Sequence, residues 1–99
     1  MRMTRHCTYT FILDVAGGTY VNQSNGPSLE QALRNWAVKA DKETLKSFNR
    51  ASPSQFSEEV EYRLTERDQL TPTKGLENVW FLYVSIIDVP GYLTIVKTA

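Results

Sequence analysis

Residues 8–40 read TYTFILDVAGGTYVNQSNGPSLEQALRNWAVKA, and the reading of this stretch decides the fold class. Residues 7–14, CTYTFILD, alternate: Cys7, Tyr9, Phe11 and Leu13 fall on one side, Thr8, Thr10, Ile12 and Asp14 on the other. A period of two predicts a strand with one strongly apolar face. Gly17-Gly18 can adopt positive φ and predicts a hairpin turn. Thr19 to Gln23, rich in β-branched and aromatic residues, predicts the returning strand. Asn25-Gly26-Pro27 breaks that strand. Ser28 then stands where an N-cap belongs, with Gln31 three residues on, the spacing of a capping box. Leu29, Ala32, Leu33, Trp36, Ala37 and Ala40 recur at helical spacing and form one apolar stripe that should lie on the hairpin.

Beyond this unit the signals are shorter. Asp41 can cap a second short helix through about Phe48, anchored by Leu45 and Phe48. Ser52-Pro53 opens another start, with Ser at the cap and Pro at the first helical position. Phe56, Val60 and Leu64 repeat every four residues and favour a helix to about Asp68. The same segment alternates over Val60 to Leu64, so residues 58–66 keep a strand as the rival reading. Leu70 to Gly75 reads as a loop. Residues 79–88, VWFLYVSIID, are strand-like with two apolar faces: Val79, Phe81, Tyr83 and Ile87 against Trp80, Leu82, Val84 and Ile86. Such a strand is usually central and covered on both sides. Pro90-Gly91 should turn the chain into a fourth strand, Tyr92 to Lys97. The expected architecture is an α+β single domain over residues 1–99. Its four-stranded, mainly antiparallel sheet has helices on one face, in the order ββααββ.

The 99-residue chain carries no formal net charge, and its 41% hydrophobic and 22% charged content is ordinary for a globular protein. Nucleic acid is not an expected partner, because no basic surplus exists. Residues 1–50 hold seven Lys/Arg against four Asp/Glu, and residues 51–99 hold four against seven. The halves can complement each other in the fold, or polarise a surface toward a charged partner. One cysteine excludes an internal disulfide and fits a reducing compartment. No apolar run serves as a signal peptide or approaches the ~20 residues of a membrane span. The expected location is cytoplasmic, and the Asn22-Gln23-Ser24 sequon then has no consequence.

Few residues suggest chemistry. His6-Cys7 is the one His/Cys pair, and strand neighbours point to opposite faces. The pair supplies neither the ligands of a zinc site nor a Cys-His nucleophile. Cys7, on the apolar face, reads as a buried, inert thiol. Glu58, Glu59, Glu61, Glu66 and Asp68 would spread around a helix interleaved with Arg63 and Arg67, a solvated face rather than a metal site. Gly17-Gly18 leads into a strand, whereas phosphate cradles lead into a helix. Asn25-Gly26-Pro27-Ser28 precedes a helix but lacks a P-loop lysine, and reads as a turn plus cap. Tyr9, Phe11, Tyr20, Phe81, Tyr83 and Tyr92 could stack nucleobases, but basic residues are missing from strands two and three, so core packing accounts better for most of these rings. We therefore expect no catalytic residues, no metal and no cofactor.

The run TFILDVAGGTYVNQ…SLEQALRNWAVKA, about a third of the chain, resembles the hairpin-then-helix of HicB-type antitoxins. Leu29-Glu30-Gln31-Ala32-Leu33 stands where that family has its Leu-Glu-Glu-Ala-Leu helix. The Pro-Gly stretch between strand and cap and the DNA-binding tail of that family are missing here. The whole chain is similar to small bacterial α+β domains. The resemblance implies the fold and a regulatory partner role. The residues themselves leave three readings open: a self-associating interaction module, expected to be a homodimer or to bind another protein; an antitoxin-like regulatory partner; and a small-molecule binder with a pocket near Trp36 and Trp80.

Overall fold

The computed structural model describes residues 7–47, 53–65 and 70–98. Within them β1 (Cys7–Val15) and β2 (Gly18–Gly26) form the hairpin, and α1 (Leu29–Glu43) follows. A 3₁₀ turn (Leu45–Ser47), α2 (Gln55–Thr65), β3 (Thr71–Pro72), β4 (Val79–Ile86) and β5 (Val89–Lys97) complete the order. The fold is α+β, with one antiparallel sheet in the order β2-β1-β5-β4-β3. Among the described residues no helix is long and apolar enough to cross a membrane.

The unit at 8–40 forms strand, turn, strand and capped helix in the expected order, although β2 runs on through Gly26 instead of breaking at Asn25. Ser28 is extended, and its Oγ accepts the Gln31 N–H at 3.2 Å. Only half of the capping box closes, because the Gln31 side chain donates to Asn35 Oδ1 instead of turning back. The α1 stripe buries Ala32, Leu33, Trp36, Ala37 and Ala40. Trp36 stacks on Phe11 with ring centroids 5.4 Å apart, and Phe56 of α2 meets it edge-on at 5.6 Å. The apolar face of β1, with Leu82, Val84, Ile86, Leu93 and Ile95, completes this core.

Several expectations are corrected. The sheet has five strands, not four, because Thr71-Pro72 in the expected loop pairs with Phe81 and Trp80. The first turn sits one residue early, at Ala16-Gly17, both at positive φ. The second turn is Ile87-Asp88 rather than Pro90-Gly91, again with both central residues at positive φ, the type I′ geometry. Ile is a poor fit to that conformation; here Ile87 packs against the core, which offsets the strain. Pro90 pairs with Ser85 at a position where β1 has already ended, so its missing N–H interrupts no ladder. β5, not the 79–88 strand, is therefore the middle strand. The edges are β2 and β3/β4, so neither strand one nor the last strand is free to pair laterally.

Asp41 caps a helix, though not the expected one. It lies inside α1, and its carboxylate accepts the Phe56 N–H at 2.6 Å and the Ser57 N–H at 3.2 Å. These are the second and third residues of α2, the positions an N-cap side chain serves. Ser54 occupies the cap position proper, two residues after the expected Ser52, which lies outside the described residues, as do Phe48 and Asp68. Residues 55–65 are helix, which settles the rival strand reading, and Phe56 and Val60 are buried. Asp41→Ala should cost about 2 kcal/mol, since it frees two N–H donors from a charged acceptor. Urea unfolding measures it, and Asp41→Asn should recover part of the loss.

Candidate functional site

Both helices cover the same face of the sheet. The other face carries Thr8, Thr10, Ile12 and Asp14 from β1; Thr19, Val21, Gln23 and Asn25 from β2; Val79, Phe81, Tyr83 and Ser85 from β4; and Pro90, Tyr92, Thr94 and Val96 from β5. The register lines up Val21, Ile12, Thr94 and Phe81 as one cross-strand row, and Asp14, Tyr92 and Tyr83 as the next. Phe81 and Tyr92 stack with centroids 5.7 Å apart, and Tyr83 meets Tyr92 edge-on at 5.9 Å. The exposures decide the matter: Phe81 38%, Tyr83 41%, Tyr92 51% and Val21 60%. Among the described residues Asp14 is the one charged strand residue on this face, and its carboxylate already accepts the Thr19 hydroxyl proton at 2.7 Å. At the margin, Arg63 of α2 lies over the Tyr83 ring at 4.9 Å.

Phe81, one of the rings for which core packing is the expectation, lies instead on this uncovered face. The alternation of β4 fits either orientation; Leu82 and Val84, opposite Leu93 and Gly91, take the core side. Of the seven sheet aromatics, Tyr9 and Phe11 are buried and Tyr20 and Trp80 pack against the core, while Phe81, Tyr83 and Tyr92 do not. Burial first, and the neighbouring Cys7 second, raise the Tyr9 hydroxyl above its ordinary value, so it offers no base near neutral pH. Reading 89–91 as strand instead of turn would have revealed the open face, because it puts Tyr92 beside Tyr83.

The other sequence candidates do not converge. Cys7 is half-buried rather than buried, since it opens β1 at the end of the sheet. His6, Glu66 and Asp68 lie outside the described residues. Glu58 bonds Ser54, Glu61 pairs with Arg34, and Glu59 binds Arg63 at 2.7 Å, so the three carboxylates have separate partners. Among the described residues no group of three His, Cys, Asp or Glu could hold a metal ion. Trp36 fills the space between Phe11 and Phe56, and Trp80, half-buried, lies against Tyr9 with centroids 6.2 Å apart. An open polar cleft of about 580 Å³ lies elsewhere, lined by Thr8, Gln23, Ser24, Asn25, Asn35 and Lys39. Its Asn35 and Lys39 are already bonded to the β2 backbone. No protein family, curated protein or solved structure matches this chain.

Proposed function

We propose that this protein is a small, non-catalytic interaction module that pairs with a second copy of itself through the open sheet face. The exposed Phe81, Tyr83 and Tyr92 cluster, continuous with Ile12 and Val21, carries the reading. An apolar patch of this kind is unusual on a monomer. Aromatic side chains supply much of the energy in protein interfaces. A twofold interface sets each patch against its own copy, so charges near its centre would meet their like. Among the described residues this face carries no Lys or Arg on its strands, and its one carboxylate, Asp14, is held by Thr19, which suits self-pairing. Two sheets of this sort pack at about 10 Å with aligned strands.

Light scattering at micromolar concentration should give about twice the 11.3 kDa chain mass. Tyr92→Lys should weaken the association at least about 100-fold, because the substitution enters a symmetric interface twice and buries an unpaired charge. Its exposure in the free chain predicts a fold close to wild type. A wild-type chain that remains a monomer at high concentration would remove the reading. The hairpin-then-helix order of residues 8–40 also supports a regulatory partner role of the antitoxin kind. Co-expression with the product of the neighbouring gene tests it, and a stable complex is the expected result.

A further inference from the structure

The sheet edges carry a second conclusion. In β2 the backbone groups of Thr19, Val21, Gln23 and Asn25 alternate away from β1, and the Gln23 and Asn25 carbonyls are met from the outer side. A row of this kind is a template for another strand. Two side chains of α1 occupy it. Lys39 Nζ donates to the Gln23 carbonyl at 3.0 Å, and Asn35 Nδ2 donates to the Asn25 carbonyl at 2.8 Å. The opposite edge is closed by similar means. Glu59 of α2 accepts the Ser85 N–H at 2.7 Å while Arg63 holds it, and the short β3 ends in Pro72. At both edges a helix side chain stands where a strand would bond.

We infer that Lys39 and Asn35 form a lock that keeps β2 from pairing with β2 of a second copy. Symmetry identifies the occupant. Antiparallel pairing about a twofold axis at Asn22 sets Val21 opposite Gln23 and Thr19 opposite Asn25. The partner's Val21 and the partner's Thr19 would then donate to the Gln23 and Asn25 carbonyls, the two that α1 holds. Each carbonyl keeps a second lone pair, so the conflict is one of space: the Lys39 and Asn35 side chains stand where the incoming strand would lie. It follows that assembly is directed to the sheet face, where it closes at two copies, and away from edges, where face and edge contacts together would build open-ended polymers.

The test is the double variant Asn35→Ala with Lys39→Ala. Both positions are exposed on α1, and alanine is the best helix former, so the helix should persist. The variant should associate beyond the wild-type assembly in sedimentation velocity. Amide exchange at residues 19, 21, 23 and 25 should slow at least tenfold with rising concentration. Lys39→Arg keeps a donor and should behave as wild type. Repeating the comparison on Tyr92→Lys separates the two surfaces. There the double variant should restore association through β2 alone. A Tyr92→Lys background that stays monomeric, with exchange at these four amides unchanged by the double variant, overturns the lock whatever the wild-type mass proves to be. A wild-type monomer whose double variant associates through residues 19–25 upholds the lock and removes only the face pairing. Should the double variant unfold, Lys39→Ala alone, which frees the Gln23 carbonyl, should still slow exchange at Val21, and unchanged exchange there counts against the lock.

Discussion

Truncating Trp36 to alanine is expected to lower the unfolding free energy by about 3–5 kcal/mol, the usual cost of deleting a large core aromatic. The ring is 1% exposed and is held between Phe11, stacked at an interplanar angle of 15°, and Phe56, edge-on at 82°. It joins three elements, since Phe11 belongs to β1, Trp36 to α1 and Phe56 to α2. The void would sit where both helices meet the sheet, and none of the three can close it without leaving its own ladder or cap. A domain of this size has roughly 5–15 kcal/mol in total, so the variant should lose a large share of its stability and unfold at a lower temperature. Trp36→Phe is the informative control. The indole Nε1 is buried with no hydrogen-bond partner among the described residues, so phenylalanine strands no partner while keeping most of the stacking. It should cost far less than alanine. Denaturant titration of the pair checks both statements, and equal losses would show that the ring contacts contribute little.

Adding a single methyl at Gly26 should cost about 3 kcal/mol or more, at the upper end of overpacking effects. A Cβ there would lie 2.7 Å from the Ala32 backbone nitrogen and 3.0 Å from its Cα. The clash is with main chain in the first turn of α1, which cannot swing aside as a side chain does. Gly26 closes β2 at its pairing with Cys7, and two residues later Ser28 caps the helix. Relief would require α1 to lift off the hairpin, and Trp36 would be drawn out of its contact with Phe11. Gly26→Ala should therefore lower the thermal midpoint and weaken the near-ultraviolet signal of Trp36. The same substitution at Gly17, whose positive φ is a backbone matter with open space around it, acts through turn strain alone.

Much of the fold can be read locally, and the parts that cannot share a cause. The Ser28 cap, the α1 stripe and the buried side of β1 follow from spacings within one or two turns of chain. The Ile87-Asp88 turn does not, because Gly and Pro nearby give a louder signal than a β-branched residue that tolerates positive φ only when the core receives it. The Asp41 carboxylate looks like a local cap, yet its donors lie 15 and 16 residues away, brought near by the packing of α2 on α1. The candidate site is half-legible in the same sense. The wealth of aromatics is plain in the sequence. Which of them face outward depends on the parity of β4, and two apolar faces leave that parity undecided until β5 and the core choose Leu82 and Val84.

The place of β5 in the sheet has a consequence for how the molecule is made. Tyr9 lies opposite Lys97, and Leu13 opposite Leu93, so the middle of the sheet joins the two ends of the described chain. A chain growing from its N-terminus can form the β1–β2 hairpin and lay α1 upon it early, through contacts close in sequence. It cannot seal the core. Until residues 89–97 exist, β1 has one neighbour instead of two, β4 has only the two-residue β3 beside it, and the apolar sides of both stand open. Loop closure over this distance makes the final pairing the slow step, and the nascent half-sheet is the species most exposed to misassociation. A chain truncated short of residue 89 should therefore remain bound to chaperones, and one completed through residue 97 and freed from the ribosome should release them.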